Sequence, residues 1–169
     1  TYNGERWLAS QIKSIINQNN VNTKIFIRDD RSTDNTQKII KQFKKKKINF
    51  ISNKENQRSA SLNFLKLILQ TNENYDFYAF SDQDDIWEKN KLSRALKKMK
   101  QKKCEAYSSN ISITKDNKKI LMNKSNNQKK YDYIFEGVPG CTIVLSRNSF
   151  LKVKKELSKL NEGQLNIFS

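Results

Sequence analysis

Apolar positions in the first hundred residues alternate between helical spacing and short β-rich runs. Helical spacing predicts a helix over residues 5–17 and three later helices, whose inward faces are Ile39/Ile40/Phe43, Leu62/Leu65/Ile68/Leu69 and Leu92/Ala95/Leu96/Met99. The β-rich runs predict strands at residues 24–28, 48–51 and 76–80. Such alternation is typical of a parallel sheet covered by helices, in which ligands bind beyond the carboxyl ends of the strands.

The pattern changes after Cys104. Residues 107–114 and 120–122 predict a hairpin, and residues 123–130 predict a polar loop. A strand at 142–145 then leads into a Lys-rich amphipathic helix. Because we find no internal repeat, no linker and no run of 18 apolar residues, the 169 residues predict a single domain without a membrane-spanning helix.

Composition narrows the chemistry that this chain can carry out. The sequence contains no His, which removes the commonest general base and leaves acid–base chemistry to carboxylates. The two cysteines, Cys104 and Cys141, lack metal-ligand spacing and do not favour a zinc site. The net charge of +16 comes mainly from scattered Lys, so we expect no nucleic-acid partner, and attraction to an anionic membrane surface is a weaker alternative.

Two acidic segments stand where predicted strands end. Asp82 and Asp84 follow the strand at 76–80, and alternate residues of an extended segment point the same way. A hard divalent cation between these carboxylates and a nucleoside diphosphate would explain the pair, although an exposed acidic turn before a helix is the simpler alternative. Asp29 and Asp30 end the strand at 24–28, where a carboxylate can accept a base N–H and a ribose hydroxyl.

The opening turn is the third candidate feature. Residues 1–5 contain a Gly for tight geometry and run into the first predicted helix. Tyr2 can stack on a nucleotide base, or it can be an ordinary surface aromatic.

Together, residues 1–5, 29–36 and 82–84 resemble the family 2 glycosyltransferases in order and spacing. Residues 56–63 resemble the stretch that leads into the third helix of that family, and residues 81–87 and 140–142 resemble its rhamnosyltransferase-like branch. The resemblance implies an α/β fold of the GT-A type, with a Rossmann-like, mostly parallel sheet flanked by helices. It also implies inverting sugar transfer from a nucleoside-diphosphate donor, assisted by Mg²⁺ or Mn²⁺.

The resemblance assigns roles to individual positions. It implies a metal-holding role for Asp84 and substrate contacts for the others: Thr1, Tyr2 and Glu5 along the nucleotide pocket, Asp29 or Asp30 on the base, Arg58 on the nucleotide, and Asp82 near the ribose or donor sugar. It implies that residues 1–169 are part of one catalytic domain, with a nucleotide-sugar-binding half at 1–103 and the start of an acceptor-side half at 104–169.

The acceptor implied by the resemblance is a growing surface polysaccharide or a lipid-linked glycan. The expected location is the cytoplasm, with peripheral association at the inner face of the membrane as an extension. The family's apolar first strand is missing before Thr1, and its general base is expected beyond Ser169, since the late carboxylates Glu136, Glu156 and Glu162 fit poorly. Two alternatives stay open: a truncated, inactive remnant, and a basic nucleic-acid-binding module.

Overall fold

The computed structural model describes residues 1–43, 48–53, 59–71, 74–115, 118–122 and 140–165. The helices are α1 (Leu8–Ile16), α2 (Thr36–Phe43), α3 (Ala60–Gln70), α4 (Lys91–Lys102), α5 (Arg147–Leu157) and α6 (Glu162–Leu165). The strands are β1 (Ile25–Asp29), β2 (Ile48–Ser52), β3 (Phe77–Ala79), β4 (Ala106–Ser108), β5 (Ile111–Lys115), β6 (Lys118–Met122) and β7 (Ile143–Ser146). Arg58, Glu136 and the predicted polar loop at 123–130 lie outside the described residues.

The described strands form three hydrogen-bonded groups. β1 and β2 pair in parallel, β7 lies antiparallel between β3 and β4, and β5 and β6 form an antiparallel hairpin. The single strand predicted at 107–114 is therefore two strands. Ser109 and Asn110, residues that favour turns, separate the part that pairs with β7 from the part that enters the hairpin.

The predicted inward faces of the helices are confirmed. Ile12 of α1 and Ile40 of α2 are fully buried and pack with Ile27 of β1. The exception is Trp7, which falls within the helix predicted over residues 5–17 but is not buried. It precedes the first turn of α1 and is 40% exposed, with the Arg6 guanidinium 5.5 Å from its ring centre.

A cleft separates β1 from β3. The Thr1 α-amino group donates to the Arg28 carbonyl (2.7 Å), and the Asp30 N–H donates to the Thr1 carbonyl (2.8 Å), which is the bonding of a parallel strand alongside β1. Between β1 and β3 lies a cavity of about 1710 Å³. No strand among the described residues fills this space.

Candidate functional site

The acidic loop at residues 81–85 follows β3 and is fixed by α1. Gln11, which is buried on α1, donates from Nε2 to Ser81 Oγ (2.8 Å) and to the Asp82 carbonyl oxygen. The Asp82 N–H donates to Asp85 Oδ2 (3.2 Å), and the Asp85 N–H donates to the Asp82 carbonyl (3.4 Å). The loop is therefore a closed turn with a defined orientation at the mouth of the cavity.

The three carboxylates of this loop, Asp82, Asp84 and Asp85, differ in their hydrogen-bond partners. Asp85 accepts a hydrogen bond from the Asp82 N–H. The carboxylates of Asp82 and Asp84 accept no hydrogen bond from the described residues, and both residues line the cavity. Burial raises the pKa of Asp82, and the neighbouring Asp85 and Asp84 raise it further. The Thr1 α-amino group offsets part of this negative charge by lowering the pKa of Asp82, and a bound cation would relieve it further.

Cys141 lies closer to this loop than its sequence position suggests. Its sulfur and the carboxylates of Asp82 and Asp85 lie within 4.8 Å of one another. Burial and the hydrogen bond to Asp85 raise the pKa of Cys141 to about 12, so the thiol is protonated at neutral pH. Mg²⁺ and Mn²⁺ prefer oxygen ligands, so the carboxylates of Asp82 and Asp84 fit such an ion better than the protonated thiol of Cys141 does.

Gln83 connects the acidic loop to the opening turn. Its Oε1 accepts from Thr1 Oγ1 (2.6 Å) and from the Tyr2 N–H (2.9 Å), while its Nε2 donates to the Tyr2 carbonyl (2.9 Å). A Cβ on Gly4 would lie 2.7 Å from Gln83 Oε1, which explains the glycine at this close approach. Our reading of residues 82–84 considered only the two carboxylates, yet the residue between them positions Thr1 and Tyr2.

The opening turn is also bonded to the loop before α2. Asn3 Oδ1 accepts from the Thr33 N–H (2.9 Å), and the buried Gly4 N–H donates to Thr36 Oγ1 (2.8 Å). One carboxylate oxygen of Glu5 accepts from the Asn35 N–H (2.8 Å) and from Asn35 Nδ2 (2.9 Å). Glu5 therefore caps the start of α2, and it lies outside the lining of the cavity.

Asp29 and Asp30 are both buried but face different surroundings. The Asp29 carboxylate accepts from the Ser32 N–H (3.1 Å) and from Gln37 Nε2 (2.8 Å) and does not line the cavity. Asp30 accepts from Asn53 Nδ2 (3.0 Å) and lines the cavity. Two carboxylates were predicted to reach a base, and the geometry favours Asp30. The Asp29 carboxylate already accepts hydrogen bonds from Ser32 and Gln37.

Arg28 is a site residue that sequence reasoning did not single out. It is 3% exposed, and its guanidinium donates to Asn63 Oδ1, while Asn63 Nδ2 donates back to the Arg28 carbonyl (3.1 Å). Its Nε has no hydrogen-bond partner in the described part of the chain, and burial lowers its pKa. The sequence does contain a signal that could have identified Arg28: it stands directly before two adjacent aspartates. A buried carboxylate needs a nearby positive charge.

The cavity thus brings together five of the eight residues predicted from sequence: Thr1, Tyr2, Asp30, Asp82 and Asp84. Glu5 and Asp29 lie outside its lining, and Arg58 falls outside the described residues. No helix in the described ranges is both long and apolar enough to cross a membrane.

Replacing Asp29 tests its structural role. We expect Asp29→Ala to lower the free energy of unfolding by about 1.5–3 kcal/mol, because half-buried donors on Ser32 and Gln37 lose a buried, charged acceptor. Glu5→Ala is the matched control, since the Glu5 carboxylate also accepts hydrogen bonds near the start of α2 but is exposed. We expect this variant to lose about 0.5–1 kcal/mol. Urea denaturation measures both. Equal losses for the two variants would contradict the assignment.

Comparison with known proteins identifies the family. The sequence model of the glycosyl transferase family 2 matches residues 1–155, and the chain belongs to this family. The chain is 42% identical to the dTDP-rhamnosyl transferase RfbG of Shigella flexneri over 161 residues, which are 92% of this chain and 56% of that protein. It is 30% identical over 125 residues to the Escherichia coli UDP-Glc:alpha-D-GlcNAc-diphosphoundecaprenol beta-1,3-glucosyltransferase WfgD, covering 74% and 46% of the two chains.

Solved structures confirm the fold. The crystal structure of S. aureus TarS 1-349 superposes with a TM-score of 0.73 at 16% identity, over 99% of this chain and 51% of that one. TarS 1-349 in complex with UDP gives a TM-score of 0.70 at 17% identity, over 99% and 51% of the two chains. The GT-A-like α/β fold expected from the resemblance is thus confirmed. The chain spans about half the length of these relatives.

Proposed function

We propose that this chain binds a nucleoside-diphosphate sugar at the mouth of the cavity between β1 and β3 and transfers the sugar, with inversion, to a growing surface polysaccharide or lipid-linked glycan. The observation that carries the proposal is the pair of carboxylates at the mouth of the cavity. Asp82 and Asp84 accept no hydrogen bond from the described residues, while Thr1, Tyr2 and Asp30 line the same space.

Four of the five predicted residues that line the cavity have a role that their surroundings support. Asp30 accepts an N–H of the base, and the half-exposed ring of Tyr2 stacks on that base. Asp82 faces the ribose or the donor sugar, and Asp84, the more exposed carboxylate, holds Mg²⁺ or Mn²⁺ on the diphosphate. When bound, the ion supplies Lewis-acid stabilisation of the charge on the departing nucleoside diphosphate.

The names of the relatives fit a pyrimidine nucleotide donor. RfbG is named for a dTDP-activated sugar and WfgD for UDP-glucose, and a TarS structure contains UDP. WfgD is also named for an acceptor on diphosphoundecaprenol, which supports a lipid-linked acceptor here. Uracil and thymine share the N3–H that the Asp30 carboxylate would accept, so this contact does not separate the two donors.

The division into halves is part of this proposal, with residues 1–103 as the donor half and residues 104–169 as the start of the acceptor half. The five predicted residues that line the cavity all lie within 1–103, and Val144 and Phe150 of the other half line it too. Glu156 forms an exposed ion pair with Lys159 (2.7 Å) and does not line the cavity, so we assign no general base to it. Location in the cytoplasm agrees with the free thiols of Cys104 and Cys141, which persist in a reducing compartment.

Calorimetric titration of UDP and dTDP into the purified chain, with and without Mn²⁺, tests the proposal. We expect binding of at least one nucleotide that strengthens about tenfold or more with Mn²⁺, because the ion bridges like charges. Failure of both nucleotides to bind a chain that circular dichroism shows to be folded would overturn the assignment and favour an inactive remnant.

A further inference from the structure

The hairpin of β5 and β6 carries an unusual amount of exposed apolar surface. Of the nine large hydrophobic side chains that are exposed in the described chain, four belong to this hairpin: Ile113 (47%), Ile120 (54%), Leu121 (62%) and Met122 (38%). Contiguous exposed apolar residues mark sites of interaction with a protein or a membrane. The hairpin is therefore an interaction surface outside the donor cavity, since none of these four residues lines that cavity.

The register makes the hairpin amphipathic. Ile113 pairs with Ile120, and Ile111 pairs with Met122, so these four residues share one apolar face. The opposite face is mainly polar, because Leu121 pairs with Ser112 and Lys119 pairs with Thr114. A surface with one apolar face and lysines beside it is the pattern of a segment that lies flat in the membrane interface.

The charges on the hairpin agree with an anionic membrane surface. Neither strand contains Asp or Glu, and β6 begins with the exposed Lys118 and Lys119. The whole chain has a net charge of +16. A lysine at the level of the lipid headgroups, beside apolar residues that enter the acyl boundary, is the pattern of a peripheral anchor.

A salt bridge connects the hairpin to the donor site. The Lys119 ammonium contacts the Glu88 carboxylate, and Glu88 follows the acidic loop by three residues. Between Asp85 and Glu88 lies Ile86, which at 64% is the most exposed large hydrophobic side chain of the described residues. A membrane that accepts the hairpin would therefore lie close to the loop that contains Asp84.

We propose that the β5–β6 hairpin docks this protein on an anionic bilayer, with Ile120 and Met122 at the acyl boundary and Lys118 among the headgroups. The proposal rests on the proposed function in one respect: docking explains how the donor site reaches a lipid-linked acceptor. It goes beyond that function by naming the surface and the class of lipid.

Vesicle flotation tests the docking surface. The full chain is mixed with vesicles of phosphatidylcholine alone or with roughly 30% phosphatidylglycerol, at about 150 mM salt to screen diffuse attraction. We expect binding only to the anionic vesicles. The double variant Ile120→Ser/Met122→Ser should weaken binding about tenfold or more, and Lys118→Gln about fivefold. Val153→Ser, which alters an exposed apolar residue on α5, is the matched control and should bind as the parent chain does.

The outcomes separate docking from donor binding. If the double variant binds anionic vesicles as well as Val153→Ser does, the attraction is only that of net charge and the proposal is overturned. If the parent chain instead forms a dimer in sedimentation that the double variant abolishes, the hairpin is a protein interface and the proposal is again overturned. Calorimetry with UDP and Mn²⁺ should give the same affinity for parent and double variant. Loss of vesicle binding alone therefore leaves the donor site intact.

Discussion

Asp84→Ala is expected to abolish the effect of Mn²⁺ on UDP or dTDP binding, lowering affinity in the presence of the ion by about tenfold or more. The Asp84 carboxylate lines the cavity, is exposed and accepts no hydrogen bond from the described residues. Its removal therefore costs the fold little, while the diphosphate loses the ion that offsets its repulsion by Asp82. Calorimetric titration with and without Mn²⁺ measures the loss.

Two sets of variants make this result specific. Glu88→Ala removes one negative charge from the segment just after the loop, but its carboxylate pairs with Lys119, so nucleotide affinity should stay within about threefold of the parent value. Asp85→Ala and Cys141→Ala test the alternative group of ligand atoms, which Asp82, Asp85 and Cys141 form. If these two variants abolish the response to Mn²⁺ and Asp84→Ala does not, the ion lies among Asp82, Asp85 and Cys141, and the role of Asp84 is wrong.

The order of helices and strands up to residue 103 was predictable from sequence because each helix has one apolar stripe and each strand one short β-rich run. The positions of Asp30, Asp82 and Asp84 followed from the same pattern, since carboxyl ends of strands gather ligand-binding loops. The roles of Glu5 and Asp29 did not follow. Whether a carboxylate faces a cavity or caps a neighbouring loop depends on local backbone geometry, which hydrophobic spacing does not encode.

Long-range contacts were the other part that sequence could not supply. Gln83 contacts Thr1 across 82 positions, and the Cys141 thiol reaches Asp85 from beyond the hairpin. Arg31 adopts a left-handed backbone conformation (φ 63°) that a residue with a Cβ takes only when the surroundings require it. Here Asn3 Oδ1 holds the Thr33 N–H and Asp29 holds Ser32, which fixes the loop on either side. Such contacts appear only when the elements are assembled.

Phe150→Ala is expected to give the largest loss of stability, about 3–5 kcal/mol. The Phe150 ring on α5 is 2% exposed and stacks on Tyr78 of β3, with 3.6 Å between ring centroids and 5° between planes. Because domains of this kind have a free energy of unfolding of only about 5–15 kcal/mol, the variant would lose much of its stability. Urea denaturation gives the free energy, with Phe150→Leu expected to lose less and the exposed Val153→Ala to stay within about 0.5 kcal/mol.

Phe150→Ala also tests whether the proposed donor half, residues 1–103, folds independently of the rest of the chain. The proposed donor half ends at residue 103, yet β3, which leads into the acidic loop, finds its strand partner in β7 and its aromatic packing in α5. If the two halves folded independently, Phe150→Ala would destabilise only the second and leave UDP affinity unchanged. We expect instead that affinity and stability fall together, in one cooperative transition, because β7 and α5 support the strand that positions Asp82 and Asp84. A loss below about 1 kcal/mol would show that β3 holds its place without α5.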